Sequence, residues 1–148
     1  MIDTARILIA EDHLVQAVAC ADFLRSLGYT VVGPVASLAQ ARRILADEPI
    51  DAALLDVWLR DGAAFPLAAD LASRNIPLVF CTGVNEDGLF PDAWRTTPRV
   101  EKPYDLADLD QRVRALLADR RTPADRSGAD RSPESGVRRG GSRRDAER

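Results

Sequence analysis

Short apolar runs that stop at polar residues alternate along this chain with longer stretches whose apolar positions recur every three or four residues. The first run, Arg6-Ile7-Leu8-Ile9-Ala10, halts at the acidic pair Glu11-Asp12 and reads as a buried strand with two carboxylates at its carboxyl end. Leu14, Val15, Val18, Ala21, Leu24 and Leu27 then recur at near-helical spacing, and Gly28 stands where a helix C-cap belongs. Thr30-Val31-Val32 is β-branched and ends at Gly33-Pro34, a short second strand. Ser37 and Gln40 have capping-box spacing ahead of Ala41, Ile44 and Leu45, which predicts a second helix ending near Asp47-Glu48-Pro49.

The third strand, Ala52-Ala53-Leu54-Leu55, delivers Asp56 and breaks at the Asp61-Gly62 turn. Phe65, Leu67, Ala68, Leu71 and Ala72 make a third helix before Arg74-Asn75. Ile76-Pro77-Leu78-Val79-Phe80-Cys81 is the fourth strand, with Pro77 tolerated at its beginning, and it ends at Thr82-Gly83. The segment 84–98 contains Gly88, Pro91 and Pro98, so any helix there is short, around Leu89 to Trp94. Arg99-Val100-Glu101 is a fifth strand ending at Lys102-Pro103, and Asp105 opens a last helix carrying Leu106, Leu109, Val113, Leu116 and Leu117. Strands alternating with helices predict an α/β fold, a doubly wound parallel sheet with right-handed crossovers in the flavodoxin-like order 2-1-3-4-5.

The chain of 148 residues suits one domain with a real core. No apolar run approaches the length of a bilayer span, and the first residues lack a basic region followed by an apolar core, so a cytoplasmic location is expected. Cys20 and Cys81 lie in apolar segments without a Cys-x-x-Cys pair, and His13 is the one histidine. Neither a zinc site nor a disulfide framework is supported; both cysteines are expected in the core and His13 at the start of the first helix.

Charge divides the chain. Residues 120–148 hold nine arginines against five acidic residues, a net +4, which leaves −7 on the first 119 residues out of a total of −3. Those last residues have Val137 as their one sizeable apolar side chain and are expected to be a disordered Arg/Ser/Gly-rich tail after a folded domain over 1–119. Interleaved acids and the lack of stacking aromatics argue against nucleic-acid binding by this tail.

In an open parallel sheet, chemistry collects outside the carboxyl ends of the strands. The predicted order brings Glu11, Asp12, Asp56, Thr82 and Lys102 to one crevice. Two like charges ~4 Å apart repel by about 4 kcal/mol at an effective dielectric near 20, so three carboxylates beside one ammonium call for a further cation. Mg²⁺ suits such a site, taking one or two carboxylates and completing its shell with water and phosphate oxygens. Read singly, Glu11-Asp12 could serve only to start the following helix, and Thr82 and Lys102 could be ordinary surface residues.

From about Ala5 to Ala118 the chain resembles the receiver domain of two-component response regulators. The resemblance rests on Glu11-Asp12 after strand one, Asp56 after strand three, Thr82 after strand four and Lys102-Pro103 after strand five. It implies that Asp56 accepts a phosphoryl group from a phosphohistidine on a sensor histidine kinase or histidine phosphotransfer protein. It also implies Mg²⁺ bound by Asp12 and Asp56, with Glu11 holding metal-bound water and Trp58 offering its backbone carbonyl. Thr82 would bond a phosphoryl oxygen, and Lys102 would pair with the phosphate and steady Asp56. A phosphoacceptor that slowly dephosphorylates itself is expected rather than an enzyme acting on an external substrate.

The family's aromatic switch position, three residues before the lysine, holds Arg99, so the usual coupling does not carry over. The Phe80-Cys81-Thr82-Gly83 run is similar to a receiver subgroup with an atypical fourth helix found among stand-alone regulators. In receivers, Trp58 and Val84 would flank the path of attacking water; both are apolar, which implies slow autodephosphorylation. With no recognisable output domain, the expectation is a single-domain response regulator signalling by protein contact or phosphorelay to a downstream protein. Its output face would comprise the segment after strand four, strand five and the last helix; homodimerisation stays open. The alternatives are a phosphorylation-independent pseudo-receiver scaffold and an Asp-nucleophile phosphohydrolase of the haloacid dehalogenase kind. The latter predicts a second Asp two residues after the nucleophile, where Trp58 stands.

Overall fold

A computed structural model describes residues 4–83, 88, 90–102 and 105–119. The strands are β1 (Arg6–Ala10), β2 (Thr30–Val35), β3 (Ala52–Asp56), β4 (Trp58–Leu59), β5 (Gly62–Ala63), β6 (Leu78–Thr82) and β7 (Arg99–Glu101). The helices are α1 (Leu14–Ser26), α2 (Leu38–Asp47), α3 (Phe65–Ser73) and α4 (Leu106–Asp119), with a 3₁₀ turn over Asp92–Trp94. The expected tail over residues 120–148, together with Val84, Leu89, Pro103 and Tyr104, lies outside the described residues.

Five strands form a parallel sheet in the order β2-β1-β3-β6-β7, the flavodoxin-like order expected once the separate β4–β5 hairpin is set aside. Successive strand residues face opposite sides of the sheet, and this alternation builds two cores. Leu8, Ala53, Leu55 and Phe80 face α2 and α3, where Ala41, Leu45, Leu67, Ala68 and Leu71 meet them. Ile7, Ile9, Ala52, Leu54, Val79 and Cys81 face α1 and α4, against Cys20, Ala21, Leu24, Leu109 and Val113. Both cysteines are buried and unbridged. Burial pushes the Cys20 thiol up to about 12, with Cys81 and Glu11 adding to the effect and Lys102 opposing it.

Four local features depart from the sequence reading. β2 runs through Gly33-Pro34, a cis peptide, to Val35. Gly33 has φ +97°, and a Cβ there would meet Ile9 O and Val35 N at 3.0 Å, so only glycine fits where β2 crosses β1. β6 begins at Leu78, because Pro77 has no N–H for the ladder and its carbonyl instead accepts from Ala53 N at 3.0 Å. Arg60-Asp61, one residue earlier than the expected Asp61-Gly62 break, forms the turn of a hairpin that pairs Trp58 with Ala63 and Leu59 with Gly62.

The fourth is the orientation of α1. It buries Ala17, Cys20, Ala21 and Leu24, while Leu14, Val15 and Val18 are 74%, 71% and 46% exposed. Apolar residues occur around much of this helix, so periodicity does not identify the inward stripe. Small residues take most of it, because they let the helix lie close to the sheet.

Candidate functional site

Register determines which carboxylates meet. Ala10 pairs with Leu55, so Glu11, the next residue, comes beside Asp56, the last residue of β3. Asp56 pairs with Cys81, Cys81 with Val100, and Thr82 with Glu101, which leaves Lys102 one step beyond the sheet. The Lys102 N–H donates to the Thr82 carbonyl at 2.7 Å and continues the ladder by one bond. On the other side, the irregularity between β1 and β2 lets Glu11 N donate to Val35 O at 2.9 Å. Backbone bonds thus anchor Glu11 and Lys102.

Their side chains converge. Lys102 Nζ lies 2.8 Å from Glu11 Oε1 and 3.3 Å from Asp56 Oδ1. Glu11 Oε2 accepts from the His13 N–H at 3.0 Å, and His13 caps α1 by accepting from Gln16 N, the helix-start role expected of it. Glu11 is 4% exposed, Asp12 is exposed and Asp56 is half-buried; one carboxylate oxygen from each lies within 4.8 Å of the other two. Together with Gln16, Trp58, Gly83 and Lys102 they line an open pocket of about 280 Å³. Trp58 is 47% exposed. Thr82 closes β6 but is 5% exposed and is not among the residues that line this pocket.

One ammonium cannot neutralise this group. Asp56 is pushed up to about 7 by burial first and by Glu11 second, against the pull of Lys102. Burial opposes the charge on Lys102, yet the Glu11 hydrogen bond and the Asp56 charge outweigh it and raise its pKa. The donors are carboxylate oxygens, and hard oxygen sets of this kind suit Mg²⁺. The residues present therefore fit the ion that the charge balance calls for.

Around the site, the β4–β5 hairpin is tied to α2. Asp61 Oδ1 accepts from Leu38 N at 2.6 Å and Oδ2 from Ala39 N at 3.2 Å, while Arg60 N donates to Ala36 O at 2.9 Å. These bonds hold Asp61 below the usual carboxylate range, the Leu38 bond contributing most. Arg99 pairs in register with Phe80 and so projects to the α2–α3 side of the sheet. Its guanidinium stacks on Phe90, 3.7 Å from the ring centroid, and donates to Arg95 O at 3.0 Å. Phe90 in turn packs edge-on against Phe80 and Phe65, and Trp94 against Phe80.

Gln16 and the direct Glu11–Lys102 pair were not legible in the chain. Gln16 reaches the pocket because α1 starts at its rim, and that placement depends on tertiary packing. The segment after β6 holds a short 3₁₀ turn over Asp92–Trp94, in line with the irregular fourth helix expected there. No described helix is long and apolar enough to cross a membrane.

A parallel sheet with clustered acids and one lysine at its carboxyl edge is the arrangement expected of a receiver domain. The chain belongs to the response regulator receiver domain family, whose model matches residues 7–114. It is 32% identical over 114 residues to the TorCAD operon transcriptional regulatory protein TorR of Escherichia coli O157:H7, covering 75% of this chain and 49% of TorR. The chain thus spans about half the length of that curated relative. Among solved structures, it is similar to SdrG from Sphingomonas melonis Fr1, at 40% identity and TM-score 0.69, over 79% of this chain and 99% of that one. It also resembles the receiver domain of sensor histidine kinase PA1611 from Pseudomonas aeruginosa PAO1, solved with magnesium coordinated in its active-site cleft. That likeness, at 24% identity and TM-score 0.69 over 78% and 99% of the chains, is one of fold.

Proposed function

We propose that this protein is a phosphoacceptor response regulator in which Asp56 takes a phosphoryl group from a phosphohistidine on a sensor histidine kinase or phosphotransfer protein. The observation that carries the reading is the sharing of Lys102 between Glu11 and Asp56, 2.8 and 3.3 Å away, within a cluster of three carboxylates. The cluster has a net deficit of positive charge at the point where a phosphoryl group would add more negative charge. Bound Mg²⁺ supplies the missing charge, and Asp12, Asp56 and the Trp58 carbonyl would hold it, with Glu11 taking a water. An Asp56 carboxylate oxygen attacks phosphorus in line, the P–N bond to the donor imidazole breaks, and the ring leaves.

Lys102, already within reach of Asp56 Oδ1, pairs with an equatorial phosphoryl oxygen, and Thr82 bonds another. The exposed side chains of Leu14, Val15 and Val18 on α1 suit contact with a protein donor rather than a small molecule alone. Apolar Trp58 at the pocket rim limits water's approach, so hydrolysis of the phosphoaspartate is slow. Output passes by protein contact or onward phosphotransfer, through the face made by β7, α4 and the segment that follows β6.

The test is the intact mass after incubation with Mg²⁺ and acetyl phosphate, for the native chain and for Asp56→Asn. One hydroxylamine-labile phosphoryl adduct that requires both Mg²⁺ and Asp56 is expected. No adduct on folded protein, with a phosphotransfer protein also tried as donor, would overturn the reading. The second reading, a scaffold that is not phosphorylated, draws on Arg99: a guanidinium stacked on Phe90 occupies the family's aromatic switch position.

A further inference from the structure

Gln16 lies on the first turns of α1 and borders the same pocket as Asp12, Asp56 and Trp58. Its backbone N–H is held by His13 Nδ1 at 3.4 Å. Its side-chain oxygen Oε1 is closed off from solvent and has no hydrogen-bond partner, alone among the buried side-chain N and O atoms of the described residues. A buried acceptor without a donor destabilises a fold, and such an atom on a residue that lines a site calls for a donor that binding supplies.

No other group that lines the pocket bonds this oxygen, the His13 and Trp58 ring N–H groups included. Glu11, Asp12 and Asp56 carry acceptors, and the Lys102 ammonium is drawn to Glu11 and Asp56. A hydrated divalent cation brings donors of the right kind, since Mg²⁺ keeps several of its waters when protein carboxylates bind it. The terminal torsion of a glutamine is broad, so a small turn brings Oε1 to a water that the ion holds in place.

We propose that Gln16 is a positioning residue for the cation, its carboxamide oxygen accepting a hydrogen bond from a water of the ion's hydration shell. The inference rests on the metal-dependent reading above. Ion binding and relief of the unpaired acceptor are then one event, so Gln16 raises the affinity of the site without ligating the metal.

Trp58 borders the pocket, and Trp94 is the only other tryptophan. Tryptophan fluorescence of the full chain is therefore titrated with MgCl₂, and melting temperature is followed in EDTA and in saturating Mg²⁺. Gln16→Met, apolar and of similar length, should weaken Mg²⁺ binding about fivefold, the equivalent of one hydrogen bond of ~1 kcal/mol. Its melting temperature in EDTA should equal or exceed that of the native chain, because the unpaired acceptor is gone. Gln16→Glu keeps an acceptor and should bind Mg²⁺ at least as tightly as the native protein. A residue with a merely structural role would lower stability in EDTA and leave the ion affinity alone. Equal Mg²⁺ affinity in the native chain and Gln16→Met overturns the assignment, as does a loss in both variants. No saturable response in the native chain overturns the metal-dependent reading itself.

Discussion

Asp56→Asn should make the metal-free protein more stable at alkaline pH. The native carboxyl group has a pKa of about 7 against an ordinary 3.8, from burial first and the neighbouring Glu11 second, only partly offset by Lys102. The folded protein therefore holds this proton more tightly than the unfolded chain does. Stability falls as pH rises from about 4 to about 7, and the loss is complete above that window. At ~1.36 kcal/mol per pKa unit, a shift of about three units sets a ceiling of roughly 4 kcal/mol.

The Asp56 side chain is 13% exposed but faces an open pocket, and solvent screening there brings the expected effect down to about 2 kcal/mol. For a domain of this size that is roughly 8 °C in melting temperature. The assay is thermal unfolding by circular dichroism in EDTA at several pH values. Asp56→Asn should melt higher at pH 8, the gap should close toward pH 5, and Mg²⁺ should stabilise the native chain more than the variant. If Asp56→Asn melts below the native protein at pH 8 in EDTA, the Lys102–Asp56 attraction exceeds the burial and repulsion terms. The site is then not short of positive charge.

Arg99→Ala removes the guanidinium from the Phe90 ring and should cost about 1 kcal/mol in urea unfolding, with Arg99→Lys recovering part of it. Asp61→Ala leaves the Leu38 and Ala39 N–H groups uncapped and should cost about 1 kcal/mol, whereas Asp61→Asn, which keeps an acceptor, should lose only part of that. Unchanged denaturation midpoints would remove either contact from the account. Trp58→Asn opens the pocket rim to water and should speed loss of the phosphoryl group from Asp56, followed by mass spectrometry. An unchanged or slower decay would show that Trp58 does not restrict hydrolysis.

Much of the site was legible in the chain because each parallel strand announces its own carboxyl end. The apolar run Ile7-Leu8-Ile9-Ala10 stops at the charged pair Glu11-Asp12, and that change of character marks a sheet edge even though Glu11 itself ends up buried; Leu55-Asp56 and Val100-Glu101 repeat the logic. The inward face of α1 was not legible. Leu14, Val15 and Val18 are as apolar as Leu24, and only the close approach of helix to sheet, which favours Ala17, Cys20 and Ala21, decides which side turns in. The hairpin was equally hidden: a break at Asp61-Gly62 was evident, but four residues in two strands leave too short a pattern to read.

By itself, the sequence determined the α/β class and the residues that end each strand, since these follow from local burial; it narrowed the strand order to one expectation, which the sheet matches. Tertiary structure alone decided how those residues share charge. That Lys102 is divided between Glu11 and Asp56, that Gln16 Oε1 is left without a donor, and that Arg99 stacks on Phe90 are consequences of register and helix placement. Such pairings join residues far apart in the chain, and their energies depend on ångström-scale distances and burial that no local pattern records.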